Sequence, residues 1–338
     1  MNTALTRRTV LGTLAAAAAL PAGTVQAQSK LPVRLAKQFG ISYLPLTLME
    51  QEKLLEAHCK KAGIDITTEW LQFTAGTAMN DAILSGSLDF ASGGVGPLLT
   101  IWGKTRANLA VKAVAALNAM PIHLVTSNPA VKSIADFTDK DKIALPAVKS
   151  SIQAITLQMA AEQLFGPGQH GRLDPLTVSM GHPDAQIALL NGTSGVSAHF
   201  GSAPFQYEEL KDPRARKVLD SYDVLGGPHT FNAVWATTKY AKDNPLIVRA
   251  FADALADCMK IIAKDPRSAA EIWVKAEKSK MSVDDAEKLI RLPENQWTTT
   301  PKKIMSYADF MNRVGVLAAK PADWKDVFFD VVHDLPGS

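Results

Sequence analysis

Residues 82–87 have the sequence AILSGS, and residues 188–193 have the similar sequence ALLNGT. Each copy ends a predicted helix that follows a predicted strand and a loop. The strand before the first copy spans residues 66–73, and the strand before the second spans residues 176–179. Six similar residues can arise by chance, but the shared context favours two related α/β lobes.

Predicted strands and helices alternate around both copies. Val33 and Leu35 alternate with polar residues as a first strand, and a helix is predicted from about residue 45 to Lys61. Further along, residues 143–146 predict a strand and residues 151–165 a helix. Alternation on this scale predicts a mostly parallel sheet with helices on both faces.

Two stretches are predicted to connect the lobes, residues 118–126 leading away from the first lobe and residues 231–237 leading back. A chain that leaves a lobe and returns makes two connections, which is the geometry of a hinge. The predicted domains are an export signal, a first lobe from both ends of the remaining chain, and a second lobe, with these bounds: 1–27, 28–118 plus 237–338, and 119–236.

The first residues have the pattern of an export signal. Arg7 and Arg8 precede an apolar run over residues 10–20, and VQA at residues 25–27 predicts cleavage before Gln28. The arginine pair also resembles the twin-arginine pattern, so the export route stays open between that and the general route. No cysteine stands at the processing site, so a lipoprotein anchor is not expected. We expect the mature protein in the periplasm.

Charge and cysteine content limit the partners. The chain has 36 Lys and Arg against 33 Asp and Glu, a formal net charge of +3, and no basic block. Nucleic acid and anionic membranes are therefore not expected to bind. The two cysteines, Cys59 and Cys258, lie in apolar helical contexts, which favours buried free thiols over a disulfide without excluding one.

Seven loops follow predicted strands or a crossover, where open parallel sheets bind ligands. They span residues 40–43, 74–77, 92–96, 148–151, 181–184, 199–202 and 227–230. Most contain glycine, and several open into helices whose first N–H groups lack partners and carry partial positive charge. Asp184 is their only acid, whereas Lys149 and three histidines are present. This balance predicts a carboxylate, sulfonate or similar oxyanion as ligand.

The candidate ligand-binding residues come from these loops. They are Ser42, Tyr43, Thr74, Gly76, Thr77, Ser92, Gly93, Gly94, Lys149, Ser150, Ser151, His182, His199, Phe200 and His229. Each has an ordinary structural alternative, because Ser, Thr and Gly also cap helices and an aromatic beside a buried strand often belongs to the core. Asp184 is interpreted as compensating a helix dipole.

Several motifs together resemble the periplasmic substrate-binding proteins of the nitrate, sulfonate and taurine ABC importer family. They are GISY at residues 40–43, GSLDF at 86–90 before GVGP at 94–97, VKSIADF at 131–137 and NPLIVRAF at 244–251. The resemblance covers nearly the whole mature chain. It implies the type II periplasmic-binding fold, no catalysis, and a membrane permease with its ATPase as partners. We also expect no cofactor and a monomer. Relatives take oxyanions, sulfonates, pyrimidine precursors and other small molecules.

Two other functions are weighed against this one. The pyrimidine synthases of thiamine biosynthesis share the fold, but the cysteine-rich motif that marks them is absent here. A metal-binding module would need His182, His199 and His229 to converge on one ion, although no local spacing of histidines supports it. No nucleophile with a base, paired carboxylates or phosphate-binding loop indicates an enzyme.

Overall fold

A computed structural model describes residues 30–338, so the predicted export signal lies outside the described residues. The strands are β1 Leu31–Lys37, β2 Ile66–Gln72, β3 Ala91–Gly94, β4 Lys112–Ala116, β5 His123–Thr126, β6 Ile143–Leu145, β7 Thr177–Ser179, β8 Ala198–Gly201, β9 Arg216–Asp220 and β10 Asn232–Ala236. The helices are α1 Leu44–Gln51, α2 Leu54–Lys61, α3 Gly76–Leu84, α4 Val95–Thr105, α5 Ile152–Phe165, α6 His182–Asn191, α7 Phe205–Glu209, α8 Ser221–Leu225, α9 Thr238–Asp243, α10 Pro245–Lys264, α11 Pro266–Ala276, α12 Val283–Arg291 and α13 Ile304–Arg313.

The strands form two halves with the same order. In one half β1 pairs in parallel with β2, a parallel bridge from Leu35 to Phe90 joins β1 to the start of β3, and β10 lies antiparallel between β3 and β4. The other half is a sheet of order β7-β6-β8-β5-β9, with β5 antiparallel to both neighbours. The fourth strand of each half thus arrives from the other half and runs against the rest.

The repeated stretches occupy equivalent places in the two halves. Residues 82–87 close α3 before β3, and residues 188–193 close α6 before β8, which are the third strands of the two halves. The prediction of two α/β lobes is therefore confirmed. The boundaries at residues 118 and 236 stay a prediction, and β10 itself pairs with the first lobe's strands.

The two crossing segments are hydrogen-bonded to each other. The backbone N–H of Leu117 donates to the carbonyl of Asn232 at 2.8 Å, and that of Phe231 donates to the carbonyl of Asn118 at 3.3 Å. The Asn118 side chain also donates to the Ser42 carbonyl at 2.6 Å. The hinge region is therefore a paired segment rather than two independent linkers.

Some predicted boundaries were wrong. The single helix expected up to Lys61 is interrupted after α1, because Lys53 has a left-handed backbone with φ 52°. Strand β3 spans residues 91–94 and α4 begins directly after it, where a loop was predicted over residues 92–96. Glycines have low strand propensity, so pairing with β10 rather than local preference makes residues 91–94 extended.

The apolar core contains stacked aromatic rings and both cysteines. Phe90 stacks on Phe251 of α10 with ring centroids 4.7 Å apart, and both rings are buried. Cys59 and Cys258 are buried and free, which confirms the prediction of unpaired thiols. Burial raises the pKa of the Cys59 thiol to about 11, so it is protonated at neutral pH.

In the described part of the chain, no helix is both long and apolar enough to cross a bilayer.

One ion pair ties β1 to the turn before β3. Asp89 accepts from the Arg34 backbone N–H at 2.8 Å and from two guanidinium nitrogens at 2.8 and 3.1 Å. A third guanidinium N–H donates to the Gly86 carbonyl at 2.8 Å. The pair therefore positions the segment from which β3 starts.

We expect Asp89→Ala to lower the free energy of unfolding by about 2–4 kcal/mol, because it removes three hydrogen bonds to a carboxylate whose side chain is only 10% exposed. The control Asp253→Ala breaks an i,i+4 pair with Arg249 at a 46% exposed carboxylate and should cost under about 1 kcal/mol. Urea unfolding of both variants measures the difference. Equal losses would show that Asp89 has no special structural role.

Candidate functional site

A cavity lies between the carboxyl ends of the two sets of parallel strands. The residues that line it come from both lobes: Gln38, Phe39, Tyr43, Gly76, Gly94, Pro97, Pro146, Ser151, Ile152, Gln153, His182, Ser202, Phe231 and Asn232. Its volume is about 20 Å³, which is room for little more than one water molecule. The lobes are therefore closed against each other, and a larger ligand requires them to part.

Four helix N-termini meet at this cavity. Gly76 is the first residue of α3, and Gly94 is the N-cap of α4, both in the first lobe. From the second lobe, Ser151 is the N-cap of α5 and His182 is the first residue of α6. Each N-terminus presents free backbone N–H groups and a partial positive charge. None of the lining residues is Asp, Glu, Lys or Arg, so no formally charged side chain of the lining competes with these dipoles.

Tyr43 provides a hydrogen-bond donor in the first lobe. Its hydroxyl accepts from Gln38 Nε2 at 2.8 Å and from Asn232 Nδ2 at 2.9 Å. Burial raises the pKa of the phenol far above its ordinary value, so the hydroxyl keeps its proton. Since both of its bonds are accepted ones, that proton is left to donate elsewhere, and the residue lines the cavity.

A row of three ionisable side chains extends from the cavity into the second lobe. His182 Nδ1 lies 2.8 Å from His199 Nε2, and His199 Nδ1 lies 2.5 Å from Glu209 Oε1. His182 Nε2 lies 3.3 Å from Gln153 Nε2, and the ring stacks on Phe205 at 5.5 Å. Only His182 of the three lines the cavity. Burial and the neighbouring His199 lower the pKa of His182 well below its ordinary value.

The structure brings five of the sequence candidates to the cavity, namely Tyr43, Gly76, Gly94, Ser151 and His182. His199 lies directly behind His182 and is fully buried. It belongs to β8, which spans residues 198–201, and not to the loop that was predicted over residues 199–202.

Other candidates beside the cavity belong to the frame that surrounds it. Gly93 lies in β3, where a β-carbon would come within 3.1 Å of Gln38 Nε2. Thr77 is half-buried on the first turn of α3. The Ser150 carbonyl lies against Gly96 across the lobe interface, and its hydroxyl donates to the Val148 carbonyl at 3.2 Å.

Five further candidates do not line the cavity either. Ser42 and Phe200 are fully buried, and the Ser92 hydroxyl donates to the Ala36 carbonyl at 2.6 Å inside the core. Thr74 and Lys149 are exposed, and Lys149 has a left-handed backbone with φ 61°. The cationic contact expected from Lys149 is therefore absent from the lining of the closed cavity.

Four polar lining residues were missed from the sequence: Gln38, Gln153, Ser202 and Asn232. Gln38 directly follows β1, and Ser202 directly follows β8, so the rule of strand ends applied with exact strand bounds would have found both. Gln153 lies in the first turn of α5. Asn232 begins the returning strand, and only its pairing in the hinge brings it to the cavity.

His229 lies in a separate network. Its Nδ1 lies 3.0 Å from the Thr230 carbonyl oxygen and its Nε2 lies 2.8 Å from Ser221 Oγ, and the rings of Tyr222 and Tyr307 flank it. Among residues 30–338, no group of three His, Cys, Asp or Glu side chains is arranged to hold a metal ion. The geometry therefore gives the metal-binding alternative no support.

The buried His229 makes stability depend on pH. Burial lowers its pKa from 6.5 to about 4, so the unfolded chain binds a proton that the folded protein does not. Its contribution is complete above pH 6.5 and is lost as the pH falls toward about 4, on the order of 3 kcal/mol in all. His182 acts in the same direction. We expect His229→Gln to flatten the fall of Tm between these pH values.

The half-buried His333 offers the matched control for this measurement. His333→Gln should leave the pH dependence of Tm as in the parent protein. An equally steep fall in the His229→Gln protein would contradict the assignment.

The closed arrangement depends on close approach between the lobes. A β-carbon added at Gly94 would lie 2.6 and 2.8 Å from two atoms of Ile152, in the opposite lobe. A β-carbon at Gly96 would lie 3.2 Å from the Ser150 carbonyl oxygen. Gly94 has an ordinary extended backbone, so it is the space and not the conformation that requires glycine there.

We expect Gly94→Ala to hold the lobes apart, because a contact below 3.0 Å forces movement and the hinge gives way more easily than the core. The radius of gyration in X-ray scattering should rise, Tm should stay near that of the parent, and the second change Ile152→Gly, which removes both clashing atoms, should restore closure. Gly171→Ala, whose β-carbon would meet nothing nearer than 3.6 Å, is the control. An unchanged radius would mean that this contact does not limit closure.

The comparisons with known proteins rest on structure alone. No protein-family model matches the sequence, and no curated protein matches it. Among solved structures, the alkanesulfonate-binding protein SsuA from Xanthomonas axonopodis pv. citri bound to MOPS has a TM-score of 0.68 and 18% identity, over 86% of this chain and 96% of that one. The periplasmic aliphatic sulphonate binding protein SsuA from Escherichia coli has a TM-score of 0.64 and 19% identity, over 89% of this chain and 100% of that one.

A third similar structure is the periplasmic nitrate-binding protein NrtA from Synechocystis PCC 6803, with a TM-score of 0.69 and 16% identity, over 91% of this chain and 89% of that one. These similarities cover both lobes, and they confirm the predicted fold class. The chain has the two-lobed α/β fold of the periplasmic binding proteins.

Proposed function

We propose that this chain is the extracytoplasmic solute-binding component of an ABC importer and that it captures a small anion between its lobes. The ligand class is a sulfonate, nitrate or a related organic acid. The observation that carries the proposal is the meeting of four helix N-termini, two from each lobe, at a cavity lined by no charged carboxylate, ammonium or guanidinium group. Such N-termini bind anions without a formal cation.

The chemistry of the lining supports binding rather than catalysis. Its polar groups are amides, hydroxyls and one imidazole, with no nucleophile held by a base and no paired carboxylates. The fold is shared with sulfonate- and nitrate-binding components, whose names describe capture and not turnover. We therefore propose that the protein is not an enzyme. The thiamine-synthase alternative gains nothing from the lining.

We propose that the ligand contacts come from both lobes. From the first lobe they are Gln38, Tyr43, Gly76, Gly94 and Asn232, and from the second they are Ser151, Gln153, His182 and Ser202. A ligand that contacts both lobes is bound more tightly by the closed form than by the open form, so it shifts the equilibrium toward closure. The closed form would then be recognised by the permease and its ATPase.

The location follows from the same proposal. A binding component of an importer must reach the outer side of the membrane, and the basic and apolar start of the sequence is consistent with export to the periplasm. We propose that the protein works there as a monomer that meets its permease transiently.

A thermal-shift screen tests the proposed ligand class. Sodium nitrate, methanesulfonate, taurine and benzoate form the anionic set, and matched neutral amides and a pyrimidine form the comparison set. We expect at least one anion at millimolar concentration to raise Tm, since a ligand that binds only the folded state stabilises it. A response to the pyrimidine alone would favour the alternative, and no response to any anion would contradict the proposal.

We expect Tyr43→Phe to weaken anion binding about tenfold, because it removes a donor that a charged acceptor would use. The matched control is Tyr240→Phe, because Tyr240 is a half-buried residue whose buried hydroxyl has no hydrogen-bond partner within residues 30–338. Titration calorimetry compares the two variants at one pH. Equal affinities would remove Tyr43 from the proposed contacts.

A further inference from the structure

Glu209 is a buried carboxylate with one ionisable neighbour. Its side chain is fully buried, and Oε1 contacts His199 Nδ1 at 2.5 Å. Its other oxygen, Oε2, has no hydrogen-bond partner in the part of the chain that the structure describes. A buried negative charge is costly unless a positive charge pairs with it. His199 is the group placed to carry that charge.

A positively charged His199 determines the proton positions along the whole row. Its Nδ1–H donates to Glu209, and its Nε2–H donates to His182 Nδ1 at 2.8 Å. His182 then accepts at Nδ1, so its own proton lies on Nε2. That nitrogen is the end of the row at the cavity, and His182 therefore presents a donor to the ligand.

Removing one proton from the row reverses the hydrogen bond between His199 and His182. A neutral His199 keeps its proton on Nδ1 toward Glu209 and must accept at Nε2 from His182 Nδ1. His182 Nε2 then carries a lone pair that repels an anion. The Gln153 amide, 3.3 Å away, can turn its oxygen or its nitrogen to Nε2 and fits either state.

The groups around the row do not offer another source of charge. Phe205 of α7 stacks on His182, α5 presents Gln153, and β8 presents His199. Within the described chain, the ionisable groups that contact the two histidines are each other and Glu209. His182 stays neutral, because burial and the positive His199 lower its pKa. The row therefore exchanges one proton and not two.

We propose that Glu209 is a positioning residue that selects anions: through a positive His199 it holds His182 Nε2–H toward the cavity, so the anion and one proton bind as a linked pair. This inference rests on the proposed function. By linkage, an anion that favours the protonated row binds more tightly at low pH, and its affinity falls as the row loses its proton.

Titration calorimetry with nitrate and methanesulfonate tests the inference. Both probes stay ionised from about pH 6 to about pH 9, so any proton taken up enters the protein. Bis-Tris and imidazole are suitable buffers, since sulfonate buffers would compete for the site. In the parent protein we expect the affinity to fall as the pH rises, by up to about tenfold per pH unit. The binding enthalpies measured in the two buffers should differ, because the buffer supplies the proton, and the size of that difference should correspond to the uptake of up to one proton.

The variant Glu209→Gln should bind about tenfold more weakly at the acidic end, and its affinity should no longer depend on pH. The matched control is Glu208→Gln, one residue earlier on α7, where the carboxylate pairs with Lys211 at the surface. It should keep the affinity and the pH profile of the parent protein. A purely structural role of Glu209 would lower Tm but leave the pH profile in place, which would overturn the inference.

The proton count in the parent protein needs no variant, so the test stands even if Glu209→Gln does not fold. Binding of either anion with no proton uptake and no pH dependence would overturn the role of the row while leaving the proposed function intact. Failure of every anion in the wider screen to bind would overturn the proposed function and this inference with it.

Discussion

The exchange of one antiparallel strand between the lobes is the constraint on which the rest of the structure depends. Strand β10 is hydrogen-bonded to β3 and β4, and β5 is hydrogen-bonded to β8 and β9, so each lobe is completed by chain that arrives from the other. The crossing segments also bond to each other at Leu117, Asn118 and Phe231. The carboxyl ends of the parallel strands consequently face one shared gap.

That geometry concentrates helix N-termini where no side chain neutralises them. In each lobe, helices follow the parallel strands after short connections or none, so the N–H groups of their first turns face the gap. The walls contribute amides, hydroxyls and an imidazole instead of formal charges. An anion in this position meets oriented donors on both sides, whereas a cation meets the positive ends of four dipoles. The preference for anions is thus a property of the backbone arrangement as much as of any side chain.

The second lobe has a buried carboxylate and imidazole behind its wall. Glu209 and His199 are fully buried, and the row they form with His182 reaches the cavity. The first lobe contributes the neutral hydroxyl of Tyr43, which is hydrogen-bonded to Gln38 and Asn232. The first-lobe wall therefore offers the hydroxyl of Tyr43, which keeps its proton at all ordinary pH values. The second-lobe wall offers His182, whose proton position depends on the buried pair of His199 and Glu209.

Much of the fold could be predicted from local pattern. The helix predicted over residues 151–165 matches α5, and the alternation of strands and helices predicted the two α/β lobes. The failures came where contacts far apart in sequence outweigh local preference. Glycine-rich residues 91–94 form a strand because β10 pairs with them, and His199 lies within β8 and not after it.

The sequence by itself determined the lobes, the anion-favouring balance of the loops and five of the residues at the cavity, because periodicity, glycine and strand ends are local signals. Only the tertiary structure decided that His182, His199 and Glu209 form one row, that His229 lies in another network, and that Lys149 does not line the closed cavity. The physical reason is that side-chain partners depend on where distant segments pack, and in this chain the hinge strands decide that packing.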